Sequence, residues 1–164
     1  IAPFYLTWKA REYGVSTRFI ELAGEINTAM PQYVVTELMS VLNEHGRALK
    51  GSKVLVLGVA YKPNIGDPRE SPGLTLLDLL RERGAEVDYN DPYVPSLPPT
   101  RKHDLKRDSV PLTAESIAGY DVVLIVTAHD NYDYDFVVNN WKLVLDTRNA
   151  TKNVSSGREK IFKA

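Results

Sequence analysis

The sequence contains no cysteine in its 164 residues. That excludes disulfides, a cysteine-ligated zinc site and a thiol nucleophile within these residues. It has almost no net charge: 20 Lys and Arg against 21 Asp and Glu leave −1, which is too balanced for a basic nucleic-acid surface or a polybasic membrane patch. No apolar run reaches the ~18 residues of a membrane span. The opening IAPFYLTWKAREYG has no signal-peptide layout, so a cytoplasmic location is the expectation. There is also no initiator methionine, and the chain is read as part of something longer. What is present is ordinary for a globular protein, 43% hydrophobic and 25% charged residues. The length suits one domain, or a small domain with an arm.

The first 50 residues read as helix. Ile1 to Gly14 forms a short one, with Phe4, Leu6, Trp8 and Tyr13 as core-packing members. From Thr17, apolar residues recur mostly at intervals of three and four: Phe19, Leu22, Ile26, Met30, Val34, Leu38 and Leu42 among them. Carried through to Lys50, that pattern makes a helix of ~30 residues, about 45 Å long. Pro31 inside it predicts a kink or break near Met30, and His45-Gly46 marks fraying near the end. So long an apolar helix needs cover, and part of its face is expected to meet a second chain.

From Gly51 onward strands alternate with helices. KVLVL (Lys53 to Leu57) is a central parallel strand, apolar on both faces. Ser71 and Pro72 open an apolar helix as N-cap and first helical residue, and Gly84 closes it. Glu86 to Tyr89 is a second strand, ended by the turn Asn90-Asp91-Pro92. Val94 to Leu112 is a polar, proline-rich surface loop with one short strand at its end and a basic cluster at Arg101, Lys102, Lys106 and Arg107, read as a solvated face. Thr113 caps a short helix, DVVLIVT (Asp121 to Thr127) is a buried strand, Tyr132 to Asn140 a helix, and Leu143 to Asp146 a last strand. A polar, mobile tail follows from Asn149. This alternation predicts an α/β fold, a mostly parallel sheet with helices on both faces.

The loop GVAYKPNIGDPRESPG, Gly58 to Gly73, lies where an open parallel sheet places its ligand, beyond the carboxyl end of a strand and before a helix N-terminus. It holds Lys62, a mobile point charge, and Arg69, a planar fork suited to phosphate or carboxylate. It carries neither the three-glycine dinucleotide fingerprint nor a P-loop. Spacing does not choose between an anion site and a structural alternative in which Arg69 pairs with Asp67 or Glu70 and Lys62 is solvated. Arg148 follows the last strand and falls on the same sheet edge if that strand is parallel; the alternative is an exposed arginine beside Asp146. His129-Asp130 invites a general-base reading, but with no nucleophile nearby His129 is read as a loop residue capping a strand end. Asp91 resembles the acid that holds a ribose in dinucleotide folds, yet beside Pro92 it is more simply a turn residue.

Five stretches together, GVAYKPNIGDPRESPG, PFYLTWKAREYG, ELAGEINTAMP, YNDP and VLDTRNA, resemble the UDP-glucose/GDP-mannose dehydrogenase family. The wording of the arm is most similar to the branch acting on UDP-N-acetylhexosamines. The resemblance implies an NAD-dependent, two-step oxidation of the C6 alcohol of a UDP-sugar to a carboxylate. It implies three divisions here: residues 1–50 as the central helical region of a homodimer, 51–150 as a Rossmann-like three-layer α/β/α domain binding the UDP-sugar, and 151–164 as a polar tail. The NAD domain and nucleophilic cysteine would precede Ile1, leaving this chain inactive alone. Tyr61 and Lys62 match the family's aromatic-lysine pair on the UDP-sugar, Arg69 an arginine near the cofactor phosphates, and Arg148 an arginine that closes the site on substrate. Asn27 matches an asparagine motif, with a structural role. Ala2 departs from the family, which has Asp there. The contrasting expectation is a stand-alone nucleotide-sugar-binding or oligomerisation module without catalysis.

Overall fold

Two helices precede the sheet in the computed structural model, which describes residues 2–97 and 107–164. α1 (Ala2–Glu12) folds back on α2 (Arg18–Glu44). Gly24 allows this, because a Cβ there would lie 2.5 Å from the Phe4 ring. Arg11 reaches Glu21 at 2.8 Å across the same junction. α2 is not broken at Pro31. The proline deprives the Asn27 carbonyl of its intrahelical donor, at a cost of ~3 kcal/mol. From Pro31 onward, however, the helix is seated: Val35, Leu38 and Leu42 are wholly buried, each worth roughly 1.5–3 kcal/mol. The first half then extends from an already formed helix, which avoids the cost of nucleation. The helix stops at Glu44, short of Lys50, and Gly46 takes a left-handed φ of 69° beyond it.

The aromatic residues read as core-packing in α1 are mostly exposed instead, Phe4 at 52% and Trp8 at 62%. The early apolar face of α2 is bare too, Phe19 most of all at 88%. One copy of the chain has no layer beneath this face, so periodicity alone does not bury it. Despite these apolar faces, no helix among the described residues is long and apolar enough to cross a membrane.

β1 (Lys53–Leu57), β2 (Glu86–Asn90), β5 (Val122–Ile125), β6 (Val144–Asp146) and β7 (Ile161–Lys163) form one parallel sheet in the order β2-β1-β5-β6-β7. β3 (Ser96–Leu97) and β4 (Arg107–Asp108) make a small antiparallel pair beside it. Arg107 anchors that pair to β2, donating to the Val87 carbonyl and to Asp88. Arg101, Lys102 and Lys106, the rest of the basic cluster, lie outside the described residues.

Alternation along β1 splits the core in two. Val54 and Val56 face α2 and α3 (Pro72–Glu82), meeting Leu38, Leu42, Leu77 and Leu80. Leu55 and Leu57 face α4 (Ala114–Ile117) and α5 (Tyr134–Asn140), meeting Ile117, Val137 and Val138. This is the expected three-layer arrangement. The local signals hold as well: Ser71 accepts from the Gly73 N–H as N-cap of α3, and Thr113 forms a capping box on α4.

The expected polar tail is a correction. Two 3₁₀ turns lead into β7, which pairs with β6 in the register Val144↔Ile161, Leu145↔Phe162 and Asp146↔Lys163. Ile161 packs on one face of the sheet and Phe162 on the other. Phe162 also meets His45, just past α2, edge to face at 5.5 Å. Two apolar residues in a polar stretch show no period, so only the partner strand reveals them.

Candidate functional site

Parallel register decides which loops meet. Leu57 pairs with both Asn90 and Ile125, and Ile125 pairs with Asp146. The segments after these strands, starting at Gly58, Asp91, Val126 and Thr147, therefore open on one edge. The chain leaves β1 toward β2 and later returns to the other side of β1 as β5. This puts the topological switch point, the usual ligand crevice of such sheets, between β1 and β5.

The mouth of that crevice is tightly drawn together. Gly58 has φ 79°, and a Cβ there would sit 2.4 Å from the Thr127 carbonyl oxygen. The Thr127 hydroxyl donates to the Ala60 carbonyl at 2.7 Å. Behind them, Asp91 is buried and receives five hydrogen bonds among the described residues. Oδ2 accepts from the N–H groups of Val59 (2.8 Å) and Ala60 (3.0 Å), and His129 Nε2 lies 3.1 Å away. Oδ1 accepts from the N–H groups of Tyr93 (2.8 Å) and Val94 (3.1 Å). Tyr132 packs on the His129 ring and donates to the Asn90 carbonyl at 2.7 Å. Burial first, and then the Asp91 charge, push its hydroxyl far above the usual phenol range, so it stays a neutral donor.

On this frame stand the residues singled out by the sequence. Tyr61 and Lys62 are exposed at the tip of the β1 loop, with Lys62 Nζ 5.8 Å from the Tyr61 ring centroid. The loop closes on itself where the Tyr61 N–H donates to the Asp67 carbonyl at 2.8 Å. Arg69 forms the structural pairing: Nε and Nη2 meet the two Asp67 carboxylate oxygens at 2.9 and 2.8 Å. That fork holds the Asp67 carboxyl down to about 2. The guanidinium still faces solvent, its side chain 83% exposed. Arg148 is exposed after β6, on the same edge as Lys62, with its N–H held by Asp146 Oδ1 at 2.9 Å. β5 separates the two, so their strands lie about 10 Å apart at ~4.8 Å per strand. Three cations thus share an edge without touching one another. Asn27 lies on the half of α2 away from the sheet.

The sequence reading passed over Asp91 and His129 as chemistry, and the structure makes them the frame of the loop. Asp91 is not the ribose-holding acid of a dinucleotide site, because its oxygens are saturated and buried. Gly58 is spent on the approach of Thr127, leaving no room for a pyrophosphate there. Among the described residues, the edge therefore does not fit a nicotinamide dinucleotide in the usual Rossmann manner. Among the described residues there is no cluster of three or more His, Asp or Glu suited to a metal ion.

Residues 55–153 match the family model described as the UDP-glucose/GDP-mannose dehydrogenase family, UDP binding domain. The chain belongs to this family. Its relatives include a UDP-N-acetyl-D-mannosamine dehydrogenase of Methanococcus maripaludis, 31% identical over 157 residues, covering 91% of this chain and 33% of that protein. A UDP-N-acetyl-D-glucosamine 6-dehydrogenase of Pseudomonas aeruginosa is 26% identical over 132 residues, covering 80% of this chain and 30% of that protein. Among solved structures, a UDP-D-ManNAc dehydrogenase from Pyrococcus horikoshii superposes with a TM-score of 0.72 at 25% identity, over 90% of this chain and 34% of that one. The chain spans about a third of the length of the relatives it matches. Within the family match lie the β1 loop, the Asp91–His129 frame and Arg148; α1 and α2 precede it.

Proposed function

We propose that this chain grips the UDP portion of a sugar nucleotide on behalf of an NAD-dependent nucleotide-sugar 6-dehydrogenase, and that it pairs two subunits through α2. The observation that carries the reading is the shared edge: Tyr61 and Lys62 on one side of the β1–β5 crevice and Arg148 on the other, all exposed. Lys62 offers a point charge and Arg148 a planar fork, and a diphosphate has oxygens enough for both. Tyr61 supplies an open aromatic face beside Lys62.

Bound NAD supplies the hydride acceptor for oxidation of the C6 alcohol. Of this chain's residues we assign it only Arg69, whose guanidinium must turn from Asp67 or share it. The chain itself contributes binding and orientation. Holding the distant diphosphate positions the sugar without touching its reacting carbon, so binding energy is used to align C6. With no thiol in its sequence, the chain alone is expected to form no NADH from any UDP-sugar.

Calorimetry with UDP tests the reading. Each charge-assisted contact contributes roughly 1.5–3 kcal/mol, so Lys62→Ala should weaken UDP binding at least about tenfold. Equal affinity in the two proteins would refute the assignment. Arg148→Ala should give a second, smaller loss from the other side of the crevice.

A further inference from the structure

One buried pair holds both ends of the segment that presents Tyr61 and Lys62. On the near side, Asp91 Oδ2 accepts from the Ala60 N–H at 3.0 Å. On the far side, the Asn64 N–H donates to His129 Nδ1 at 2.9 Å. Between them, His129 Nε2 lies 3.1 Å from the same Asp91 oxygen. Since Nδ1 is an acceptor, the ring proton sits on Nε2 and points at the carboxylate. The imidazole is thus a two-ended spacer, donating to Asp91 and accepting from the loop.

The ring has little freedom to do otherwise. It is wholly buried, with Tyr93 at 4.9 Å and Tyr132 at 5.6 Å between ring centroids. Asn64 also takes an uncommon left-handed φ of 63°. Its side chain is held in a reciprocal pair with Asp130, Nδ2 to the carboxylate at 2.7 Å and Oδ1 from the Asp130 N–H at 3.0 Å. A core that needed only filling would be served by two apolar side chains. Here the segments that follow β2 and β5, the strands flanking β1, each send a polar group inward to meet one loop.

We propose that Asp91 and His129 are the positioning pair of the anion site. They fix the backbone amides on either side of Tyr61-Lys62-Pro63, so that the aromatic face and the ammonium are already in place when a diphosphate arrives. Neither residue touches the ligand. The proposal rests on the reading of Lys62 given above, and it predicts a defect that a conservative replacement repairs. Glutamine carries one acceptor and one donor spaced much like the two ring nitrogens, whereas leucine carries neither.

The test compares wild type, Lys62→Ala, His129→Leu and His129→Gln in the 164-residue chain, by UDP calorimetry and by amide exchange at Tyr61 and Asn64. Exchange at Leu55 and Val123 in the core strands controls for global stability. His129→Leu is expected to weaken UDP binding about tenfold and to speed exchange at Asn64 and Tyr61 by about as much, with the core amides unchanged. His129→Gln should restore both to near wild type. Lys62→Ala should weaken binding and leave the Asn64 amide as protected as before. The proposal is overturned if His129→Leu leaves loop exchange at the wild-type rate, or leaves UDP affinity intact while Lys62→Ala lowers it. If Lys62→Ala changes nothing, the reading of the site fails by itself, and exchange alone then decides the positioning role. If His129→Leu does not fold, His129→Ala replaces it, because it carries neither a donor for Asp91 nor an acceptor for Asn64 and must show the same two losses.

Discussion

Lys163 Nζ lies 2.6 Å from Asp146 Oδ2, tying β7 to the turn that presents Arg148. The same carboxylate accepts from the N–H groups of Arg148, Ala150 and Thr151 and from the Thr151 hydroxyl. Lys163 also reaches the Thr151 hydroxyl oxygen and Asn149 Oδ1, at 2.9 and 3.2 Å. Lys163, on β7, is therefore a latch on one wall of the crevice.

Removing the latch should loosen that wall. Lys163→Ala is expected to cost about 1 kcal/mol, the modest figure reflecting a half-exposed ammonium. Urea denaturation should show a lower midpoint with an unchanged slope. Arg148→Ala should then cost less UDP affinity in the Lys163→Ala background than in wild type, a coupling read from a double-mutant cycle. Additive losses would dissociate the latch from Arg148.

Acid should release the same latch. Burial alone would raise the Asp146 pKa, but hydrogen bonds from Lys163, from Thr151 and from the Arg148 N–H outweigh it and bring it from 3.8 to about 2. A carboxyl whose pKa is depressed on folding stabilises the protein above its unfolded value and loses that contribution as pH falls through its folded value. Asp146 therefore stabilises the fold fully above about pH 4 and progressively less between 3.8 and about 2. Asp146→Asn should be less stable at neutral pH, with the gap to wild type closing across that window in thermal melts. A constant gap would disprove the linkage.

Gly58 should tolerate no side chain. An alanine Cβ would press on the Thr127 carbonyl at 2.4 Å with φ at 79°. Left-handed strain of roughly 1–2 kcal/mol adds to overpacking of about 1–3 kcal/mol. Gly58→Ala should lower the melting temperature by about 10 °C. Gly14, also at positive φ but with nothing within 4 Å of its would-be Cβ, should lose only the strain part on the same change.

The bare face of α2 should be covered by a second copy. Phe19, Leu22 and Ile26 are at least half exposed along one helix, an apolar strip too continuous to leave in water. Sedimentation at high micromolar concentration should show a dimer. Phe19→Asp with Ile26→Asp should yield a folded monomer whose UDP affinity is that of wild type. A wild-type monomer would remove the shared-helix reading.

Much of the fold was legible beforehand because its signals are local. The β1 run, the Ser71-Pro72 start of α3, the Thr113 cap and the spacing along α2 each act within about one turn or one strand of chain. Pro31 does not break α2, because propensity counts a missing hydrogen bond and not the seat that Val35, Leu38 and Leu42 find on the sheet. The aromatic residues of α1 misled because apolar composition does not say whether one chain or two will cover them. Arg69 pairs with Asp67, one of the two carboxylates the sequence offered it, because a partner two residues away is always within reach.

The sequence by itself determined the alternation of strands and helices, the caps that bound them, and the exposed cations Lys62, Arg69 and Arg148, because propensity, capping and charge are properties of neighbours. Only the tertiary structure decided that Asp91 and His129 form one buried frame, and that Lys163 closes the far wall. Their partners stand 32, 38, 65 and 17 residues away. Contacts at that range exist only once five strands have found a common register, and no local pattern encodes which groups that register brings together.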